Sequence, residues 1–339
     1  MLKVAVVGAT GYTGEELVKI LLAHPKVKVA SLTAKIDKPQ RISEIFPGMA
    51  KRTDLICELP DEQKVATMSE MVFLALPHKV SMHVAPKFTA QGKKVIDLSA
   101  DYRLPADSYE KWYGKGHSDK PGIEQAIYGL PELFREKIKK AALIANPGCY
   151  PTSIVLGLLP LAKQGSIDTD LIIADSKTGV TGAGRKADLS LNYSEINESI
   201  KAYKVNEHQH SPEIDLILSG AMKKEARIMF VPHLVPMNRG ILSTIYVKLN
   251  EAISSEAAVD MYKAFYKDEP FVEILDKGCL PQIKDVRGTN FCHIGIKADE
   301  SRKMCIIVSA IDNLIKGAAG QAVQNMNIMC GFAEEEGLT

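Results

Sequence analysis

The chain has 339 residues, 46% of them hydrophobic and 24% charged, with a formal net charge of +1. That length and apolar content suit two packed domains and exclude a disordered chain, and the even charge balance excludes the basic field of a nucleic-acid binder. No stretch of about eighteen apolar residues offers a membrane span, and no cleavable leader follows the first apolar run, so the expected location is the cytoplasm.

In chain order, residues 3–7 form an apolar run without alternation, the pattern of a strand buried on both faces. A glycine turn follows, then helical spacing over 15–23 and a second strand at 27–33. Two more strands are predicted at 71–76 and 94–98, separated by a helix-compatible stretch around Met82 and Phe88. Strand, helix, strand, repeated, predicts a doubly wound parallel sheet with ligand loops at the carboxyl ends of its strands, here Pro77-His78 and Ser99-Ala100-Asp101. Beyond Asp101 the pattern is irregular up to Leu130, with a last strand of the domain at 143–145. A helix over 152–163 opens a second region with strand-like runs at 171–175, 227–231, 242–248 and 304–311, several parted by turns rather than helices. These predict a mixed or antiparallel sheet. A helical tail at 314–328 closes the chain and is expected to return to the first domain. The fold class is therefore α/β: a Rossmann-type doubly wound domain over 1–148 and 313–339, and an α+β catalytic and oligomerisation domain over 149–312.

The turn Gly8-Ala9-Thr10-Gly11-Tyr12-Thr13-Gly14 lies between a buried-type strand and a helix. That setting makes its glycines, with Thr10, Tyr12 and Thr13, candidate dinucleotide contacts, although the spacing departs from the common fingerprint at Thr10. The second strand ends Leu32-Thr33-Ala34-Lys35, with no carboxylate until Asp37. A hydroxyl (Thr33) and a cation (Lys35) in place of an acid suit a ribose 2′-phosphate, which favours NADP over NAD.

Six cysteines, Cys57, Cys149, Cys279, Cys292, Cys305 and Cys330, are widely spaced with no C-x-x-C pair. Neither a disulfide framework nor a zinc site is expected, and no metal is assigned. Cys149 stands apart. In Asn146-Pro147-Gly148-Cys149-Tyr150-Pro151-Thr152 the proline and glycine force a turn, and Pro151 suits the first turn of a helix. Cys149 is thus expected at a helix N-terminus, where exposed N–H groups favour a thiolate. A thiolate paired with a nicotinamide suggests acyl reduction through a thioester.

Proton transfer calls for a histidine, and Glu207-His208-Gln209-His210-Ser211-Pro212-Glu213 holds two in a polar, turn-rich setting. His24 and His117 read as surface residues. Arg185, after the glycine-rich run 179–184, and Arg103 are candidate partners for an anionic substrate. Pro77, Gly182 and Asn313 complete the candidate cofactor contacts, and Asn146 and His208 the candidate substrate contacts.

Taken together and in order, these motifs resemble the N-acetyl-gamma-glutamyl-phosphate reductases of the semialdehyde dehydrogenase superfamily. The resemblance rests on the glycine turn, Ala75-Leu76-Pro77-His78, Asp97-Leu98-Ser99-Ala100-Asp101-Tyr102-Arg103, Tyr128-Gly129-Leu130-Pro131-Glu132 and residues 146–152. Gly182-Ala183-Gly184-Arg185, the His208-x-His210 segment, residues 232–240 and residues 313–321 extend it over essentially the whole chain. It implies the fold of glyceraldehyde-3-phosphate and aspartate-semialdehyde dehydrogenases, a homodimer or homotetramer, and a small acyl phosphate substrate reduced with NADPH in arginine biosynthesis. It also implies Cys149 as nucleophile and a base in the His-x-His motif, assigned to His210 with His208 beside it. Lys177-Thr178-Gly179-Val180-Thr181 departs from the usual serine-rich loop. The alternatives are a sister reductase of lysine biosynthesis acting on a carrier-linked aminoadipyl or glutamyl phosphate, a Cys–His acyltransferase, and a non-catalytic NADP sensor.

Overall fold

The structure, a computed structural model, describes residues 1–185 and 187–339. Packing divides the chain into two units, Met1–Pro147 with Ala318–Thr339, and Gly148–Gly317.

In the first unit one sheet holds β1 (Leu2–Val7), β2 (Val27–Thr33), β3 (Gln40–Arg41), β4 (Ile56–Glu58), β5 (Met71–Leu74), β6 (Lys94–Asp97), β7 (Ile127–Tyr128) and β8 (Leu143–Ala145). Their spatial order is β3-β4-β2-β1-β5-β6-β8-β7, and all pairs are parallel except β3 with β4. Around it lie α1 (Tyr12–Ala23), α2 (Ile42–Ile45), α3 (Glu62–Met68), α4 (Ser81–Thr89), α5 (Ala106–Tyr113), α6 (Lys120–Gln125) and α7 (Pro131–Ile138). The unbroken apolar runs of β1 and β5 follow from helices on both faces. Val4 and Val6 pack with Leu17 and Leu21 of α1, while Ala5 and Val7 pack on the other face with Ala85 and Phe88 of α4. From β1 the chain builds outward through β2 and β4, then returns to β5 on the opposite side. The ends of β1 and β5 therefore flank the point where such sheets bind ligands.

The stretch after Asp101, irregular by sequence, holds α5, α6 and β7. Its regularity comes from an aromatic cluster that no short period records: Tyr109 stacks on Tyr113 at 4.7 Å, and His117 packs edge-on to Tyr102 and Tyr109. His117 and His24, expected at the surface, are both buried. His24 Nε2 lies 3.0 Å from Asn327 Oδ1, so residues distant in sequence cover it.

The second unit holds β9 (Ile167–Thr178), β10 (Lys201–Ala202), β11 (Met229–Leu234), β12 (Ile241–Leu249), β13 (Val272–Ile274), β14 (Cys292–Asp299) and β15 (Met304–Ile311). They run in the order β10-β11-β9-β12-β15-β14-β13, mixed in direction, with β9–β12–β15–β14 antiparallel at the centre. Its helices are α8 (Cys149–Gln164), α9 (Tyr193–Ile196), α10 (Ser211–Met222), α11 (Ser255–Tyr266) and α12 (Ile283–Val286). The sequence reading parted several of these strands by turns rather than helices and named neither α10 nor α11.

Helix α8 begins at Cys149, three residues before its predicted start, because Pro151 gives up no needed N–H in a first turn. Further along, Pro160 lies inside the helix and cannot donate to the Leu156 carbonyl. The Tyr266 hydroxyl donates there instead at 2.6 Å, and that of Tyr262 donates to the Gly157 carbonyl at 2.7 Å. Tyr266 of α11 thus replaces the donor that Pro160 removes from α8, and Tyr262 fastens the adjacent carbonyl. Residues Ile315–Ala319 form a π-type turn, after which α13 (Gly320–Cys330) completes the first unit. None of the described helices is long and apolar enough to cross a membrane.

Candidate active site

In the first unit the residues 8–14 turn joins β1 to α1. Gly8 and Ala9 N–H both donate to the Thr33 carbonyl, at 2.7 and 3.1 Å, which ties the turn to the end of β2. Gly8 sits at φ +94, and a Cβ there would fall on the Ala75 carbonyl oxygen after β5; one on Gly14 would fall on the Gly8 carbonyl oxygen. The turn is therefore pressed into the switch point as only glycines allow. Gly11 is the N-cap of α1 and has no side chain to close the first turn. A helix start of this kind fits a pyrophosphate.

Thr33 Oγ1 is buried with no hydrogen-bond partner among the described residues, an orphan that a ribose or its phosphate would complete. Lys35 and Pro77 are exposed. The residues present fit a dinucleotide. Sequence reasoning missed Glu58, the β4 partner of Thr33, whose carboxylate is held by Lys64 at 2.6 Å.

Two loops of this unit are fastened to each other. Asp101, fully buried, accepts from Lys79 N–H at 2.7 Å, Met82 N–H at 3.0 Å and the Tyr109 hydroxyl at 2.7 Å. His78 Nδ1 accepts the Ala100 N–H at 3.0 Å. Burial holds the Asp97 carboxyl up to about 6, against hydrogen bonds from Ser99 that favour the charged form. Arg103 and Asn146, read as substrate contacts, lie inside this unit. Arg103 donates Nε to the Asn146 carbonyl at 2.7 Å and Nη2 to the Leu98 carbonyl at 2.8 Å. Asn146 donates Nδ2 to the Ala318 carbonyl and accepts from Asn325, both at 3.1 Å.

The second unit brings Cys149 and the two histidines to neighbouring helix starts. Cys149 is the first residue of α8, with Gly148 as N-cap and the Thr152 hydroxyl donating back to the Gly148 carbonyl at 3.0 Å. His210 is the N-cap of α10. Glu213, in the first turn of α10 and 1% exposed, accepts the Gly148 N–H at 2.8 Å. That buried bond fastens the cysteine turn to the histidine turn, and sequence reasoning did not see it.

An aromatic group fills the space around them. The Tyr150 ring lies 5.4 Å from His208 and 5.9 Å from His210, and Phe230 packs on Tyr150 and His208 at 5.0 and 5.4 Å. The Tyr150 and Tyr203 hydroxyls are 3.0 Å apart. Burial pushes the Tyr203 phenol up to about 12 and raises that of Tyr150, so both stay neutral. His208 Nδ1 accepts the His210 N–H at 3.0 Å. In a neutral His208 the ring proton is then on Nε2.

Gly182 and Arg185 are exposed, whereas Asn313 is buried. Asn313 donates Nδ2 to the Thr181 hydroxyl at 3.1 Å and accepts the Gly240 N–H at 2.7 Å, so its amide staples two loops of this unit. Beside it, buried Asp312 pairs with Arg239 at 3.0 Å. Among the described residues no group of three or more His, Cys, Asp or Glu could hold a metal ion.

A dinucleotide turn in one unit and a cysteine–histidine pair at helix starts in the other define an oxidoreductase of the semialdehyde dehydrogenase type. Residues 3–141 match the family model "Semialdehyde dehydrogenase, NAD binding domain", and residues 149–313 match "Semialdehyde dehydrogenase, dimerisation domain". Among solved structures, aspartate semialdehyde dehydrogenase II from Vibrio cholerae superposes with a TM-score of 0.74 at 17% identity over 98% of each chain. The Candida albicans enzyme, solved with NADP, gives 0.73 at 17% identity over 97% of this chain and 98% of that one. At that identity the likeness is one of fold.

Sequence similarity reaches further. The chain is 51% identical to the N-acetyl-gamma-glutamyl-phosphate reductases of Desulfotalea psychrophila and Geobacter metallireducens, over all of its own length and 98% of theirs. It belongs to the N-acetyl-gamma-glutamyl-phosphate reductase family.

Proposed function

We propose that this chain reduces N-acetyl-gamma-glutamyl phosphate to N-acetylglutamate 5-semialdehyde with NADPH, releasing phosphate, as a step of arginine biosynthesis. The observation that carries the chemistry is the buried Glu213–Gly148 bond, which holds the Cys149 helix start to the His210 helix start. Cys149 Sγ attacks the acyl carbon, the carbon–oxygen bond to phosphate breaks, and a thioester forms on the cysteine. His210 takes the thiol proton on its ring and passes it to the departing phosphate oxygen. His208, whose Nδ1 accepts the His210 N–H, orients the His210 turn. NADPH supplies the hydride that reduces the thioester carbon. The resulting alkoxide collapses to the aldehyde and expels the Cys149 thiolate, which takes a proton from solvent to restore the starting thiol.

In this reading Gly8, Thr10, Gly11, Tyr12, Thr13 and Gly14 receive the pyrophosphate, and Thr33 and Lys35 the 2′-phosphate. Pro77, Gly182 and Asn313 complete the cofactor contacts. Arg103, Asn146, Arg185 and His208 serve the substrate. The working form is a homodimer or homotetramer in the cytoplasm.

The test is the reverse reaction: phosphate-dependent reduction of NADP by N-acetylglutamate semialdehyde, run beside aspartate semialdehyde. Turnover with the acetylated substrate and little with the other is expected. Turnover with aspartate semialdehyde alone would overturn the substrate assignment.

A further inference from the structure

The π-type turn Ile315–Ala319 is out of keeping with its neighbours, because β15 before it and α13 after it are regular. Such turns are rare and store an irregularity that a plain helix would remove. Here Asp312, fully buried, holds the start of the turn. Its side chain accepts the N–H of Leu314 at 2.8 Å and of Ile315 at 3.3 Å, and its carbonyl accepts the Gly317 N–H at 2.9 Å. The Arg239 guanidinium and the Gly288 N–H (2.7 Å) fix the same carboxylate from other loops.

What the turn delivers is Gly317. A Cβ built on it would lie 2.7 Å from Cys149 Cβ and 3.2 Å from Cys149 Cα. Real Cβ atoms do not approach that closely, so a methyl group at 317 must displace the cysteine or the turn. Both neighbours are held: the turn by Asp312, and Cys149 by the Gly148 bond to Glu213. We propose that Gly317 is a positioning residue for Cys149, a bare stretch of backbone against which the cysteine is seated. The inference rests on the reading of Cys149 as nucleophile given above.

The test compares Gly317→Ala with wild type, with Cys149→Ser, and with Gly220→Ala, a glycine in α10 whose added Cβ would meet nothing within 4 Å. Turnover is taken per folded enzyme, with the KM for NADPH and the rate of Cys149 alkylation by iodoacetamide measured alongside. A reacting atom moved by a fraction of an ångström costs kcat and leaves binding intact, so Gly317→Ala should lose about 10- to 100-fold in kcat. Its alkylation rate should change at least threefold, and its KM for NADPH should stay within twofold. Gly220→Ala should match wild type.

Unchanged kcat and alkylation in Gly317→Ala, with Cys149→Ser inactive, overturns this inference and leaves the nucleophile standing. Activity retained in Cys149→Ser overturns the nucleophile itself. Should Gly317→Ala fold poorly, the double variant Gly317→Ala/Cys149→Gly removes the atom it collides with, and recovery of its melting temperature supports the seat. No recovery places the collision elsewhere and overturns it.

Discussion

The two units build their sites from different materials. In the first, the contacts proposed for the pyrophosphate are main chain: a helix start without a cap side chain and a turn whose glycines leave no room for side chains. In the second they are side chains, Cys149, His208 and His210, set on helix starts and walled by Tyr150, Tyr203 and Phe230. A backbone site is written in the spacing of glycines and survives loss of most side chains around it. A side-chain site depends on single atoms, and on contacts that hold those atoms from far along the chain. Substitutions should therefore separate the two units sharply.

The largest effect is expected at His210. Replacing it with Asn should lower kcat about 10²- to 10⁴-fold, the usual worth of a positioned acid–base group, with NADPH affinity nearly unchanged. Stopped-flow turnover with the cofactor titrated separately checks this. A larger loss in His208→Asn would move the base role there.

In the first unit the matching expectation concerns stability. Burial holds the Asp97 carboxyl near 6, above its ordinary 3.8, so the folded chain keeps a proton that the unfolded chain has released. Stability contributed by this group therefore falls as pH rises from about 4 to about 6, and the loss persists above that. Urea melts of Asp97→Asn and wild type across that window should show the variant gaining relative to wild type, by about 3 kcal/mol at most. A flat difference would show that Asp97 titrates alike in both states.

Tyr266→Phe leaves the Leu156 carbonyl, already deprived of its helical donor by Pro160, without a partner. A loss of about 1–3 kcal/mol in unfolding free energy is expected, with kcat per folded enzyme unchanged. The smallest effect belongs to the charge proposed beside the dinucleotide turn. Lys35→Ala should raise the KM for NADPH about two- to fivefold, the worth of one exposed charge contact, and leave NADH unaffected. Equal changes for both cofactors would detach Lys35 from the 2′-phosphate.

The sequence disclosed these units unevenly, for the same physical reason. The parallel sheet was legible because strands buried on both faces carry unbroken apolar runs, as Val4, Ala5 and Val6 do. The helix start at Cys149 was legible because Gly148 and Pro151 dictate local backbone. Helices α10 and α11 were not named: their apolar residues are interleaved with polar ones that serve the histidine turn and the α8 repair. The seat of Cys149 left no trace, since neither Glu213 nor Gly317 is near it in sequence and no period links them. Nor did Pro160 announce its remedy in Tyr266. His24 and His117 misled for a related reason, because what covers them arrives from α13 and from an aromatic cluster.

The central claim is the thioester on Cys149. It is tested most directly by mixing the enzyme with N-acetyl-gamma-glutamyl phosphate in the absence of NADPH, quenching in acid, and mapping the peptides by mass spectrometry. One N-acetylglutamyl group is expected on the peptide that carries Cys149, lost again when NADPH is added before the quench. An enzyme that turns over while this peptide stays unmodified, or that is acylated at another residue, would contradict it.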